Sequence, residues 1–225
     1  MIPVISYIHR RFIAFFAYFL WVLLVLYPNP MMLVKSIPNA MNPDIDTQAV
    51  ASIAKDLPND PTFIEKKVNT EYVKYAVPWE LYGVPWYFPT TEEVLRLGKG
   101  DCQGRMLVLA SILKAKGIPY SIEGSLDHIW VQYPKKLPNP LENDSIVIAR
   151  RNLGTLKVEM PKRWDWKESY RIEKEYFWDP MPTNRKIILF GGILVIAARR
   201  LWLIAIERLL EKVKTTKVHG WEVRY

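Results

Sequence analysis

Two long apolar runs bracket a middle section in which short helical and strand-like patterns alternate. Residues 12–27 are apolar or aromatic without interruption, preceded by His9-Arg10-Arg11 and followed by Pro28-Asn29-Pro30. As a helix this run would extend about 24 Å, somewhat short of a ~30 Å hydrocarbon core. The apolar start from Ile2 and residues 31–34 would lengthen the contact. A cleaved signal peptide shares the basic start and apolar middle, but the run exceeds a usual signal core and no small-x-small site follows closely. The expectation is therefore an uncleaved membrane anchor over residues 12–34, after a cytoplasmic segment 1–11. The second run, residues 187–198, contains Gly191-Gly192 and leads through Arg199-Arg200 into residues 201–206. An arginine pair is costly at mid-bilayer depth, so this segment reads either as a short span continuing into an interfacial helix or as a span whose arginines snorkel. A buried helix of the soluble domain is the alternative. Arg185 and Lys186 at its start, with a basic tail at 207–225, weigh against it.

Between the runs, residues 35–61 are rich in Pro, Asn and Asp and read as a stalk or strapped-down segment, with a short helix over 47–55. Residues 62–76 carry Ile64, Val68, Tyr72 and Val73 at helical spacing. An aromatic, proline-broken stretch fills 77–89, and Thr90-Thr91-Glu92-Glu93 has the form of a capping box. Met106, Leu107, Leu109, Ala110, Ile112 and Leu113 predict a helix stopped by Gly117-Ile118-Pro119. Residues 120–123, 128–133 and 145–150 read as short strands, with Trp130 in the core. Residues 161–186 are dense in Trp, Tyr and charge and suit a juxtamembrane collar. The fold class this predicts is α+β, with a compact domain over 62–160.

Charge sharpens the membrane reading. The chain carries +8 overall, yet residues 35–185 are nearly balanced, with 21 Lys/Arg against 20 Asp/Glu, while the flanks hold 10 against 3. The basic excess thus belongs to the membrane flanks and not to a nucleic-acid-binding face. Arg10 and Arg11 precede the first run, and Arg199, Arg200, Arg208, Lys212, Lys214 and Lys217 follow the second. The positive-inside rule then puts both termini in the cytoplasm and the middle domain outside, against the contrary votes of Lys35, Arg185 and Lys186. A prokaryotic plasma membrane is the expected location.

The candidate chemistry rests on two residues. Cys102 is the sole cysteine, in the first turn of the predicted 106–113 helix, with Gly98 and Gly100 to turn the chain and Asp101 as N-cap. Unpaired N–H groups and the helix dipole favour a thiolate there. His128 is the sole histidine outside the two termini. Together they form the minimal nucleophile and base of a cysteine enzyme. Separately, each is an ordinary structural residue as often as a functional one. Rings from 77–89 could line a groove, or one indole N–H could help hold an oxyanion.

Gly-x-Gly-Asp-Cys leading into Leu-Val-Leu-Ala-Ser-Ile-Leu, then Lys-Gly-Ile-Pro, then Asp-His-x-Trp-Val, resembles the transglutaminase-like superfamily. The resemblance spans roughly residues 62–155 and is strongest over 92–133. It implies a papain-like arrangement, a cysteine at a helix N-terminus packed on an antiparallel sheet, with Cys102 as nucleophile and His128 as general base and acid. It also implies an orienting aspartate about one hairpin after the histidine. Asp144 has that separation but begins the apparent strand, whereas pairing with the histidine strand points to Asn152, and Glu142 is a further possibility. Asp144 is preferred for its carboxylate and spacing.

The expected activity is acyl transfer through a Cys102 thioester on extracytoplasmic peptide or protein substrates, with hydrolysis favoured over cross-linking because water is the abundant acceptor. The rival is a catalytically silent module that serves assembly of a membrane complex. No phosphate loop, internal repeat or metal-ligand cluster is visible in the sequence, so neither cofactor nor metal is expected.

Overall fold

The computed structural model describes residues 2–137, 139, 142, 145–152, 155–161, 164–198, 206 and 208. In chain order its elements begin with α1 (Ile2–Leu26), α2 (Pro30–Met41), α3 (Ala51–Asp56) and α4 (Pro61–Lys67). Strand β1 (Lys74–Tyr75), α5 (Pro78–Tyr82), α6 (Thr91–Leu97), β2 (Lys99–Gly100) and α7 (Cys102–Ala115) follow. Then come β3 (Ser121–Gly124), β4 (Ile129–Gln132), β5 (Ala149–Asn152), β6 (Thr155–Val158), α8 (Trp166–Glu173) and α9 (Thr183–Ala197). Two π-helical turns, Val68–Tyr72 and Lys174–Trp178, continue α4 and α8. The architecture is mixed α+β, in two compact units: Met1–Pro28 with Thr183–Tyr225, and Asn29–Pro182.

The second unit is built around α7. Met106, Leu107, Val108, Leu109, Ala110, Ile112 and Leu113 are all buried, so apolar residues surround the helix instead of marking one stripe, as a central helix requires. Val50 and Ala54 at α3, Ile64 of α4, Val68, Val94 of α6, and Ile122 and Val131 of the sheet close around it. The sheet runs in the order β4-β3-β5-β6, every neighbour antiparallel. Strand β5 therefore pairs with β3, matching Ile122 to Arg151, and β4 is left as an edge.

Several sequence expectations find their local cause here. The capping box is formed, with Thr90 and Glu93 each serving the other's backbone N–H. Gly98 and Gly117 end α6 and α7 in the left-handed region, at φ 61° and 68°. The helix expected over 62–76 is shorter: it leaves α-geometry after Lys67, the Val73 N–H bonding the Val68 carbonyl five residues back before β1 begins. The segment read as a stalk is strapped into this unit. Ser36 is fully buried, its hydroxyl donating to the Met32 carbonyl at 2.8 Å and accepting from the Phe88 N–H at 3.0 Å. Asp44 accepts from the Thr91 N–H at 2.9 Å, and Val50, Ala54 and Leu57 join the core.

In the first unit α1 packs on α9. The Trp21 indole N–H donates to the Leu189 carbonyl at 3.2 Å, and the Arg185 guanidinium reaches the Val25 carbonyl. A Cβ on Gly192 would stand 1.9 Å from the Trp21 ring, so the glycine is what lets the indole lie against α9. Phe12, Phe15, Ile187 and Leu194 are all about two-thirds exposed. Among the described residues no single helix is long and apolar enough to cross a membrane; Phe12–Leu26 and Pro30–Met41 reach that length and composition only as a broken pair.

Because α7 has no free face, Leu107→Ala should lower the stability of the full chain by about 2–5 kcal/mol, the range for a buried leucine. The exposed Leu126, truncated to alanine, should change stability by less than about 0.5 kcal/mol. Urea titration followed by tryptophan fluorescence reads both.

Candidate active site

The start of α7 is fixed before Cys102 is reached. Gly98 closes α6, and β2 pairs in parallel with β1, matching Lys74 to Lys99 and Tyr75 to Gly100. A Cβ on Gly100 would stand 3.1 Å from both the Gly104 Cα and the Val73 side chain, so a bare backbone is needed for the turn to close against α7. Asp101 then caps the helix, accepting from the Gln103 and Gly104 N–H groups at 2.9 and 3.1 Å. From the next turn Arg105 donates to the Val73 and Asn69 carbonyls at 3.2 and 3.0 Å, and its guanidinium lies 5.1 Å from the Tyr75 ring centre. The helix is thereby bolted to the strand that precedes the aromatic stretch.

This places Cys102 Sγ against the Ile129 N–H at the start of β4. Burial, followed by the Asp101 carboxylate, pushes the thiol up to about 12, against the N–H groups of Ile129, Gln103 and Cys102, which favour the thiolate. The Asp101 carboxyl is itself raised to about 6 by burial, opposed by its capping N–H groups and by the nearby charge of His128. Both of the raising causes favour the protonated thiol.

His128 enters β4 from a tight turn in which the Ser125 hydroxyl accepts from the His128 N–H at 3.0 Å and the Ser125 N–H donates to the His128 carbonyl at 2.8 Å. Its ring stacks on the buried Trp130, centroids 5.8 Å apart and planes 15° from parallel. His128 Nε2 lies 3.5 Å from Glu142 Oε1. The other Glu142 oxygen is held by Lys136 Nζ at 2.7 Å, and the same ammonium pairs with Glu65 Oε1 at 2.9 Å. Burial raises the Glu142 carboxyl, but the bonds from His128 and Lys136 outweigh it and hold the group below the usual carboxylate range.

Cys102 thus meets the backbone of Ile129, the residue that follows His128 in the chain. Asp144 lies outside the described residues. Asn152 is exposed and pairs with Thr155 of β6; the geometry that pointed to it assumed a strand returning beside β4, and that strand joins β3 instead. Of the two described residues weighed for the orienting position, Glu142 is the one that faces the imidazole. Sequence reasoning missed Lys136 and Glu65. Their only signal is that each is charged amid strand-like and helical apolar positions.

A covering layer completes the site. The Ser169 hydroxyl on α8 donates to Asp127 at 2.8 Å, and the Trp79 indole N–H donates to the Phe177 carbonyl at 2.8 Å. Tyr176 meets Tyr75 edge to face at 5.9 Å, and both hydroxyls are raised, first by burial and in part by proximity to Cys102. The expected oxyanion role of an indole therefore does not fall to Trp79 here, since its N–H is spent on the covering segment. Tyr82, whose hydroxyl is buried without a hydrogen-bond partner among the described residues, packs 4.5 Å from the Tyr87 ring. No family model matches the chain, and comparison with curated proteins and with solved structures finds no similar protein.

Asp101 gives a pH signature. Its folded pKa of about 6 lies above its ordinary 3.8, so the folded state holds the proton more tightly. Its ionisation therefore costs stability above pH 6, and that cost is relieved as pH falls from 6 toward 4. Asp101→Asn keeps a capping oxygen and should flatten this part of the stability profile relative to the parent. With the neighbouring carboxylate gone, Cys102 should also react faster with iodoacetamide at pH 7.

Proposed function

We propose that this chain is a membrane-anchored cysteine enzyme of the transglutaminase-like, papain-like kind, which cleaves amide bonds of extracytoplasmic peptides through a thioester on Cys102. The observation that carries the reading is the convergence of a helix-start thiol and a strand-start imidazole, the imidazole backed by an ionised glutamate. Glu142 engages Nε2, so Nδ1 is the nitrogen left to take the thiol proton. The thiolate attacks the carbonyl carbon of the substrate, and the oxyanion forms beside the Cys102 N–H at the positive end of α7. Collapse breaks the C–N bond, and the imidazolium returns its proton to the leaving amine. Water, deprotonated by the same nitrogen, then cleaves the thioester to a carboxylate and regenerates the thiol. No metal or cofactor enters these steps.

The membrane part of the proposal rests on the exposed rings of α1 and the exposed apolar residues of α9, with the basic flanks favouring cytoplasmic termini. A silent binding module is the second reading. It is favoured by one observation, a thiol kept protonated beneath a hydrogen-bonded cover.

Alkylation of the sole cysteine across pH 5–10, in the full-length chain and in His128→Ala, separates the two. An enzyme should label measurably below the free thiol's pKa of about 8.5, through a phase that His128→Ala abolishes. Identical ordinary thiol profiles in both proteins would rule out the Cys–His pair and leave the binding module. Cleavage of any amide substrate should vanish in Cys102→Ala.

A further inference from the structure

Lys136 is buried in an unusual way for a lysine. Its side chain is 6% exposed, and Nζ donates to the Val131 carbonyl at 2.7 Å, to Glu65 at 2.9 Å and to Glu142 at 2.7 Å. An ammonium has three protons, and all three are used. Burial of a lysine is expensive unless each charge is matched, and the backbone is bent to achieve it. Lys135 takes φ 64°, the one positive φ outside glycine among the described residues, and Lys136 N–H closes a turn onto the Tyr133 carbonyl. A non-glycine residue in that region costs about 1–3 kcal/mol and persists where the surroundings impose it. The turn carries Lys136 back beneath β4, where its ammonium sits 5.4 Å from the Tyr133 ring centre and Tyr133 donates to Glu65 at 2.6 Å.

The charges in this cluster do not cancel. Glu65 and Glu142 bring two negative charges and Lys136 one positive charge, with Tyr133, His128 and Asp101 as further titratable neighbours among the described residues. The imbalance is one negative charge, located where Glu142 faces the imidazole. Transfer of the thiol proton to His128 supplies the missing positive charge. A carboxylate held this way also accepts from Nε2–H, which selects the tautomer with a bare Nδ1.

We propose that Lys136 is a positioning residue of the site: shared between Glu65 and Glu142, it locks the Glu142 carboxylate against His128 Nε2 and so leaves Nδ1 to the Cys102 thiol. The inference rests on the proposed Cys–His pair. It extends that pair into a relay from α4 through Glu65, Lys136 and Glu142 to the base. Lys136 touches neither substrate nor sulfur and acts only through Glu142.

The test uses the full-length chain with Lys136→Met, Lys136→Gln, Lys136→Arg and Glu65→Gln, and takes two readouts. The first is the His128-dependent phase of iodoacetamide labelling against pH. The second is the 15N shift pattern of the His128 ring, assigned by its disappearance in His128→Ala, which reports the tautomer whether or not the thiol reacts. Lys136→Met should lower the His128-dependent labelling by about tenfold or more, the scale on which loss of an outer partner acts, and should move the ring away from the Nε2–H tautomer. Lys136→Arg should restore most of both. Glu65→Gln, which leaves the Lys136–Glu142 pair intact, should stay within about threefold of the parent, because it stands one contact further from His128 than Lys136 does. If Lys136→Met does not fold, Lys136→Gln, which replaces the ammonium by one neutral donor, should move both readouts in the same direction by a smaller amount. An unchanged tautomer and labelling phase in a folded neutral variant overturns the role of Lys136 alone. A parent with the Nε2–H tautomer but no His128-dependent labelling overturns the enzyme reading while the positioning contact stands.

Discussion

The site depends on one short constraint, the four residues in which α6 ends and α7 begins. Gly98 turns the chain in the left-handed region, Lys99 and Gly100 take one parallel bridge to β1, and Asp101 caps the next helix. There is no slack in this sequence of events. A side chain at Gly100 would press on the Gly104 backbone and on Val73, and loss of the cap would free the two N–H groups that begin α7. The setting of Cys102 follows from where that turn delivers it: against the Ile129 N–H of β4 and near the Tyr75 and Tyr176 hydroxyls.

The electrostatics pull in opposite directions at the two ends of the pair. Around the sulfur, burial and the Asp101 carboxylate favour the thiol. Beside the imidazole, the Glu142 carboxylate stands 3.5 Å from Nε2, with the Lys136 ammonium behind it. An ion pair between the two residues would thus be supported on the histidine side and resisted on the cysteine side. The resistance comes mainly from desolvation, which is the component that a substrate or a water chain entering the site would change.

Much of the local structure could be read from residue order, because its causes are local. The capping box at Thr90, the Asp101 cap, the apolar α7, the stop at Gly117 and the two strands around Ile122 and Val131 each follow from neighbours within a few positions. What was not legible depends on distance along the chain. The pairing of β5 with β3 instead of β4 is a choice of strand order, which alternation cannot encode, and it removed Asn152 from the histidine's side. The break of the 62–76 helix into a π-helical turn leaves no compositional trace. The Glu65–Lys136–Glu142 chain unites residues from three separate segments, so only the folded arrangement reveals that the carboxylate facing His128 has a buried ammonium behind it.

The setting of Cys102 has a consequence for oxidation. A sole cysteine has no second thiol in its own chain with which to resolve a sulfenic acid, so its oxidation would run on toward the irreversible acids. Peroxide attacks the thiolate, and the burial and the Asp101 carboxylate that favour the protonated thiol slow that attack. The setting that disfavours the thiolate therefore also slows its oxidation.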